Sequence, residues 1–221
     1  MTLAELIRRF RAMANDRVRP YFCSDEDVKD WLNDAQDQAC VRGRLLRDDS
    51  TPDVCQIVLT PGQPVYPLHR RLYEIISLRV KDADGKARPM RLVSREWLDA
   101  ERCDWRDETR ETCFAIQDEN SIRIVGAIKA GEVLHIECYR LPLDSMVNGT
   151  DEPEIHEAHH DHLIQWALHE AFSIPDAEMF DAQRAEKAER EFSSYFGLMP
   201  DADMRRITRH DVAHHNATFL L

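Results

Sequence analysis

Apolar positions in this chain follow two periods, one of three to four residues near both ends and one of two residues in the middle. Leu3, Leu6, Ile7, Phe10 and Met13 fall on one helical face, and Thr2 followed by Glu5 supplies the capping box that starts it. Ser24 and Asp27 repeat the box. Val28, Trp31, Leu32, Ala35 and Ala39 then give a second helix an apolar face that runs to about Gly43. Residues 152 to 197 predict two more helices, joined at Ser173 to Pro175. The first turns Ile155, Leu163, Trp166, Ala167 and Phe172 inward. The second is expected to be capped by Asp176 and ended at Gly197 by a left-handed residue, with Pro200 preventing resumption. Its inner stripe, Ala182, Ala185, Ala188, Phe192 and Tyr195, is mostly small and lets another helix approach closely.

The middle reads as strands. VCQIVLT (54 to 60), LYEIISLRVKD (72 to 82), ARPMRLV (87 to 93), CFAIQD (113 to 118), SIRIVGA (121 to 127) and EVLHIECYR (132 to 140) are short, β-branched and often alternating. Asp82 to Gly85, Glu119-Asn120 and Pro61-Gly62 are expected turns, the second because Asn tolerates a left-handed backbone. Ser94 caps a short helix through Asp99, and the polar run Asp104 to Glu111 is expected to be an exposed loop. Helices that flank a strand insertion most simply pack with each other. The fold class is therefore α+β: a helical bundle formed by N- and C-terminal helices, an inserted antiparallel β domain and an extended C-terminal tail. The boundaries are 1–52 for the N-terminal helices, 53–146 for the β domain, 147–198 for the C-terminal hairpin and 199–221 for the tail.

Composition narrows the function. A chain of 221 residues buries a substantial core without disulfides. Its six cysteines include no CxxC pair, and no signal peptide or long apolar run is present, so reduced thiols in a cytoplasmic setting are expected. A net charge of −12 argues against a surface that wraps duplex DNA by neutralising phosphates. An acidic wall past which DNA merely travels is compatible with it. No glycine-rich phosphate loop or GxSxG elbow occurs, and seven glycines leave little room for a nucleotide cradle. The Asp25-Glu26-Asp27 run favours the positive end of a helix dipole, so capping accounts for it.

One catalytic pattern stands out. His156-Glu157-Ala158-His159-His160 matches HExxH, in which two histidines one helical turn apart bind zinc and the glutamate activates water. The motif begins just after Pro153, and its extended form is absent, with Leu163 where the glycine would stand and Trp166 at the last histidine. A third ligand would have to come from Glu178 or Glu186. Histidines on an exposed helical face, a pH-sensitive subunit contact or adventitious metal binding by His156, His159, His160 and His162 explain the cluster as well. In the tail, Arg205, Arg206 and Arg209 precede His210, His214, His215 and the apolar end Phe219-Leu220-Leu221. A fraying terminus and a docking arm that orders on a neighbour are both open readings.

The order of these pieces carries a resemblance. SDEDVKDWLNDAQDQACVRGRLL, then TPGQPVYPLHRRLYEIISLRV, RLVSREWLDAE and VLHIECYRLPLDSM, and finally DEPEIHEAHHDHLIQWALHEAFSIPDAEMFDAQRAEKAEREFSSYFG resemble the head-to-tail adaptors of tailed bacteriophages over about residues 1 to 198. The resemblance implies a structural virion protein of the neck, assembled in the host cytoplasm. Such a protein forms a ring, commonly of twelve copies, beneath the portal and offers a platform for the tail. Its partners would be the portal protein, tail or nozzle proteins and further copies of itself, with double-stranded DNA only as passing cargo and no membrane. It implies no catalytic residues, cofactor or metal. By position, the tail becomes the portal-docking arm, with Arg205, Arg206, Arg209, Phe219, Leu220 and Leu221 as its docking residues. The loops Asp82 to Gly85 and Asp104 to Glu111 become candidates for tail or neighbour contacts. The resemblance gives the His156 to His162 cluster no role. A zinc-dependent hydrolase using His156, Glu157 and His160 is the alternative function.

Overall fold

Both capping boxes form. In the computed structural model, which describes residues 1–102, 104–175 and 178–200, helix α1 (Leu3–Ala14) starts where Thr2 Oγ1 accepts from Glu5 N and Glu5 accepts from Thr2 N. Ser24 and Asp27 do the same for α2 (Asp25–Gly43). Asn15 and Arg44 close the two helices in the left-handed conformation. α1 buries Leu3, Leu6, Phe10 and Ala14, but leaves Met13 42% exposed. α2 buries Val28, Leu32, Ala35, Ala39 and Cys40.

The remaining helices depart from expectation at their starts. Residues 152 to 156 are not helical. A 3-10 turn at Glu157–His159 leads into α5 (His160–Ser173), and a later helix, α6 (Ala182–Phe196), is capped by Asp181, whose carboxylate accepts from Gln183 N and Arg184 N, both at 3.1 Å. Asp176, the expected cap, lies outside the described residues. Gly197 ends α6 with φ 97° and ψ 170°, a positive φ but not the left-handed helical conformation. The inner stripe of α6 is Ala185, Ala188, Phe192 and Phe196; Ala182 and Tyr195 face solvent. Ala182 and Tyr195 are thirteen positions apart, so a stripe through both drifts off a 3.6-residue period that Phe196 satisfies.

Two compact units result. The helical unit comprises residues 1–47 and 139–199, where α5 packs against α1, α2 and α6 around Phe10, Leu32, Leu163, Ile164 and Phe192, all fully buried. Polar groups pin its non-contiguous parts. Asn33 Oδ1 accepts from Met146 N (2.8 Å), Gln36 Oε1 accepts from Glu154 N (2.6 Å), and Leu46 O accepts from Arg140 N (2.9 Å). The chain thus leaves and re-enters this unit side by side, where Leu46 meets Arg140.

The second unit covers residues 48–138 of the described chain. The two-residue strand β1 (Arg47–Asp48) is followed by a single helical turn, α3 (Pro52–Cys55), where a strand is expected; Pro at its first position suits helix rather than ladder. β2 (Gln56–Val58), β3 (Val65–Pro67), β4 (Leu72–Lys81) and β5 (Ala87–Leu92) come next. After α4 (Arg95–Glu101), capped by Ser94, come β6 (Phe114–Gln117), β7 (Ser121–Val125) and β8 (Val133–Arg140). The sheet order is β1-β8-β4-β5-β6-β7-β3, with β2 also on β8. β2 with β8, β3 with β7, β4 with β5 and β6 with β7 pair antiparallel, and β5 with β6 is parallel because α4 and its following loop carry the chain back to the same end.

The turns fall as expected at Gly85 (φ 80°) and Gly62 (φ 83°). Asn120 does not adopt a positive φ, so that turn closes through Asp118 N donating to Ser121 O (2.8 Å) instead. The 104 to 111 run is only partly an exposed loop: Trp105 is 3% exposed, packs on Val93, Leu98, Ile116 and Val125, and donates to Asp99 at 2.8 Å. Gly126, at φ 111°, is forced, since a Cβ there would stand 2.7 Å from Arg110 O.

Phe192→Ala removes the largest fully buried side chain of α6, which packs on Trp166 of α5. We expect a loss of about 3–5 kcal/mol in a denaturant titration, with the far-UV spectrum retained below the transition.

Candidate functional site

The histidines singled out in the sequence gather where α5 begins and α6 ends. His162 stacks on Tyr195, with 3.4 Å between ring centroids and 13° between planes. His159 Nδ1 lies 3.1 Å from the Tyr195 hydroxyl, and its ring stands 5.9 Å from Phe196. His156 lies one turn earlier, 6.1 Å from His159, and its Nδ1 accepts from Ala158 N at 3.1 Å. It therefore caps the 3-10 turn.

His160 faces the other way. It is 2% exposed, with Nε2 3.0 Å from Ile155 O and Nδ1 2.8 Å from the Met1 amine. A carbonyl only accepts, so Nε2 carries the proton and Nδ1 accepts from the amine. Both ring nitrogens are engaged. The HExxH match thus lacks the geometry its chemistry needs: His156 precedes the helix, His160 is turned inward, and the two do not share a face. Glu178 and Glu186 are exposed, and Glu186 accepts from Arg190 at 3.1 Å. Among the described residues no group of three or more His, Cys, Asp or Glu side chains is arranged to hold a metal ion.

A second concentration of polar chemistry surrounds Arg11. Its side chain is 8% exposed and donates to Asp16 Oδ2 (2.7 Å), to the Cys23 carbonyl (3.2 Å) and to Asp25. The guanidinium also lies 3.7 Å above the Tyr21 ring. Asp16, fully buried, accepts in addition from Phe22 N at 3.0 Å. Breaking a buried pair of this kind leaves an uncompensated charge, so the loop from 15 to 23 is held to α1 by this hub. Burial, with the nearby Asp16 carboxylate, pushes the Cys23 thiol up to about 11.

The hub shapes one wall of a cleft of about 790 Å³. Leu3, Ala4 and Ile7 of α1 form an apolar floor, and Val147 and Gly149 border it on the far side. The 149 to 151 segment is tied there, because Leu3 N and Ala4 N, unpaired within α1, donate to Asp151 O (2.7 Å) and Gly149 O (3.0 Å). The lining carries six cations, Arg8, Arg9, Arg11, Arg17, Arg19 and Lys29, against two carboxylates, Asp25 and Glu26. Sequence reasoning missed this cleft. The clustered arginines of RRFR and RVRP were a signal, but only the folded loop brings the two runs together. The tail residues Arg205, Arg206, Arg209, Phe219, Leu220 and Leu221 lie outside the described residues.

Burial holds His159 below the ordinary imidazole value of 6.5, and the neighbouring His156, His162 and His160 add to the effect. A folded state that disfavours the proton binds fewer protons than the unfolded chain, so this contribution to stability is full above about pH 6.5 and is lost as pH falls. We expect the melting temperature to drop on acidification below that point, and the drop to shrink in His159→Gln; thermal melts between pH 8 and 5 on both proteins check it.

The sequence model of the SU10 adaptor protein family matches residues 1–214. No curated protein matches the chain.

Proposed function

The chain belongs to the SU10 adaptor protein family, a family of phage head-to-tail adaptors, and from that membership we propose that it forms a ring beneath the portal of a tailed phage. There it would provide the platform for the tail and the passage for DNA. The family match across residues 1–214 carries this reading. The division into N-terminal helices (1–52), β domain (53–146), C-terminal hairpin (147–198) and docking tail (199–221) belongs to the same proposal, as does the bundle made by the outer segments. The place of action is the virion neck, after assembly in the host cytoplasm.

The mechanism is binding and oligomerisation. Each copy in a ring presents one face to its neighbour and receives a different face, so contacts are heterologous. The net charge of −12 supports a channel wall that repels phosphates, so DNA passes without being held. Large apolar side chains left in water support surfaces that partners cover. On the helical unit these include Val18 (79%), Phe22 (59%), Val147 (65%) and Phe180 (52%). No helix among the described residues is long and apolar enough to cross a membrane. The partners are the portal, the tail or nozzle proteins and further copies of the chain.

Native mass spectrometry of the protein mixed with the portal protein of the same genome tests the reading. A complex of ring stoichiometry is expected, and a chain that ignores the portal would sink it. A version ending at Leu198 is expected to keep its melting temperature and lose portal attachment. If that shortened protein still binds, the tail is not the docking arm.

A further inference from the structure

Two faces of the helical unit carry opposite, unneutralised charge. The first is the cleft beside α1. Of its two carboxylates, Asp25 is taken by Arg11 and Glu26 by Lys29, and Arg9 pairs with Asp161 at 2.9 Å. Arg8 and Arg17 form no ion pair among the described residues, and both are exposed. Arg19 lies 5.5 Å over the Tyr21 ring. In a chain of net charge −12, this is a concave, apolar-floored basic site with guanidiniums to spare.

The second face is a ridge on α2. Asp27, Asp30 and Asp34 are exposed, and none forms an ion pair among the described residues. Asp27 accepts from Ser24, and Asp34 accepts from the neutral indole of Trp166 at 2.6 Å, so neither contact removes the charge. At 100° per residue the three lie within an arc of about 60°, about 160° around α2 from the mean direction of its buried residues; the mean direction of Asp25, Glu26 and Lys29, which border the cleft, is about 130° away, with Glu26 the nearest at about 70° from the ridge's centre. Ridge and cleft therefore point in different directions from one rigid element. A contact between them cannot close within one copy, but it can run from one copy to the next.

Their dimensions agree. Asp27 to Asp34 spans about 10 Å along α2, and the α1 edge of the cleft, from Leu3 to Ala12, about 13 Å. We propose that the α1 cleft is the seat of a second copy of this chain, whose α2 ridge enters it and sets Asp27, Asp30 and Asp34 against Arg8, Arg17 and Arg19. The inference rests on the adaptor reading and deepens it by naming the surfaces through which copies meet. Two molecules of charge −12 repel at long range. At about 0.15 M salt the screening length of about 8 Å removes most of that repulsion and leaves charges in contact still attracting.

A charge-swap experiment on the full chain tests it. Among the groups without an ion pair, Arg8→Glu/Arg17→Glu leaves one cation, Arg19, against two carboxylates in the cleft, and Asp30→Lys/Asp34→Lys leaves one carboxylate, Asp27, against two cations on the ridge, so each variant carries like charge on both faces. Sedimentation velocity at about 0.15 M NaCl is expected to show self-association of the natural protein, at least about tenfold weaker association of each variant alone, and recovery in their equimolar mixture, where every junction again joins opposite charges. Recovery also demonstrates that both variants fold. Variants that associate as well as the natural protein, or a mixture that does not recover, overturn the proposal while the adaptor reading stands. A natural protein that stays monomeric overturns it too; if it then binds the portal and Arg8→Glu/Arg17→Glu does not, the cleft receives another protein's acidic surface. If it binds a 20-base-pair DNA duplex that the same variant releases, the cleft is a phosphate site. Charge-swap behaviour as expected with no portal binding would remove the adaptor reading and leave the self-contact in place.

Discussion

The helical unit depends on burying one helix, α5, against three others. Leu163, Ile164, Leu168 and Phe172 are each at most 5% exposed and face α1, α2 and α6. At about 1.5–3 kcal/mol per buried side chain, these four contribute roughly 6–12 kcal/mol. That is comparable with the whole stability of an ordinary domain, about 5–15 kcal/mol. α1 and α2 each meet α5 more extensively than they meet one another. Residues 48–138 lie in sequence between the two parts of this unit, and Arg140 N donates to Leu46 O where the chain returns to it.

Much of this was legible in the sequence because local chemistry and tertiary need agree. Thr2/Glu5 and Ser24/Asp27 specify helix starts by reciprocal hydrogen bonds within four residues, and nothing distant overrides them. The alternation in VLHIECYR becomes strict in-out burial along β8. What failed was decided at a distance or by a single backbone choice. Pro52 starts a helical turn that takes in Val54 and Cys55, the first two residues of VCQIVLT, before β2 begins. Trp105 reads as part of a polar run, yet the pocket of Val93, Leu98 and Val125 takes it in. Asp181 rather than Asp176 caps α6, and only the actual start of the helix distinguishes two equally good caps.

Function was less legible than fold, and the histidine cluster shows why. HExxH carries meaning only as a face of a regular helix, and here the first histidine caps a 3-10 turn while the last turns inward to Ile155 O. A pattern in sequence became two separate jobs in space. The basic cleft is the converse case. Arg8 and Arg17 belong to different segments, and the buried Arg11 to Asp16 pair folds one against the other. Ordinary composition concealed it, because an acidic chain average says nothing about where its cations sit.

The insertion also imposes an order on biosynthesis. A ribosome adding about 5–20 residues per second takes on the order of ten seconds to travel from Gly43 to His160. During that interval the β unit can complete its own ladders, whereas Leu6, Phe10, Val28 and Leu32 have no α5 to cover them. Helices as short as α1 are marginal in isolation. α1 and α2 are thus made well before the helix that covers them, and the nascent chain carries uncovered apolar faces until α5 and α6 have emerged.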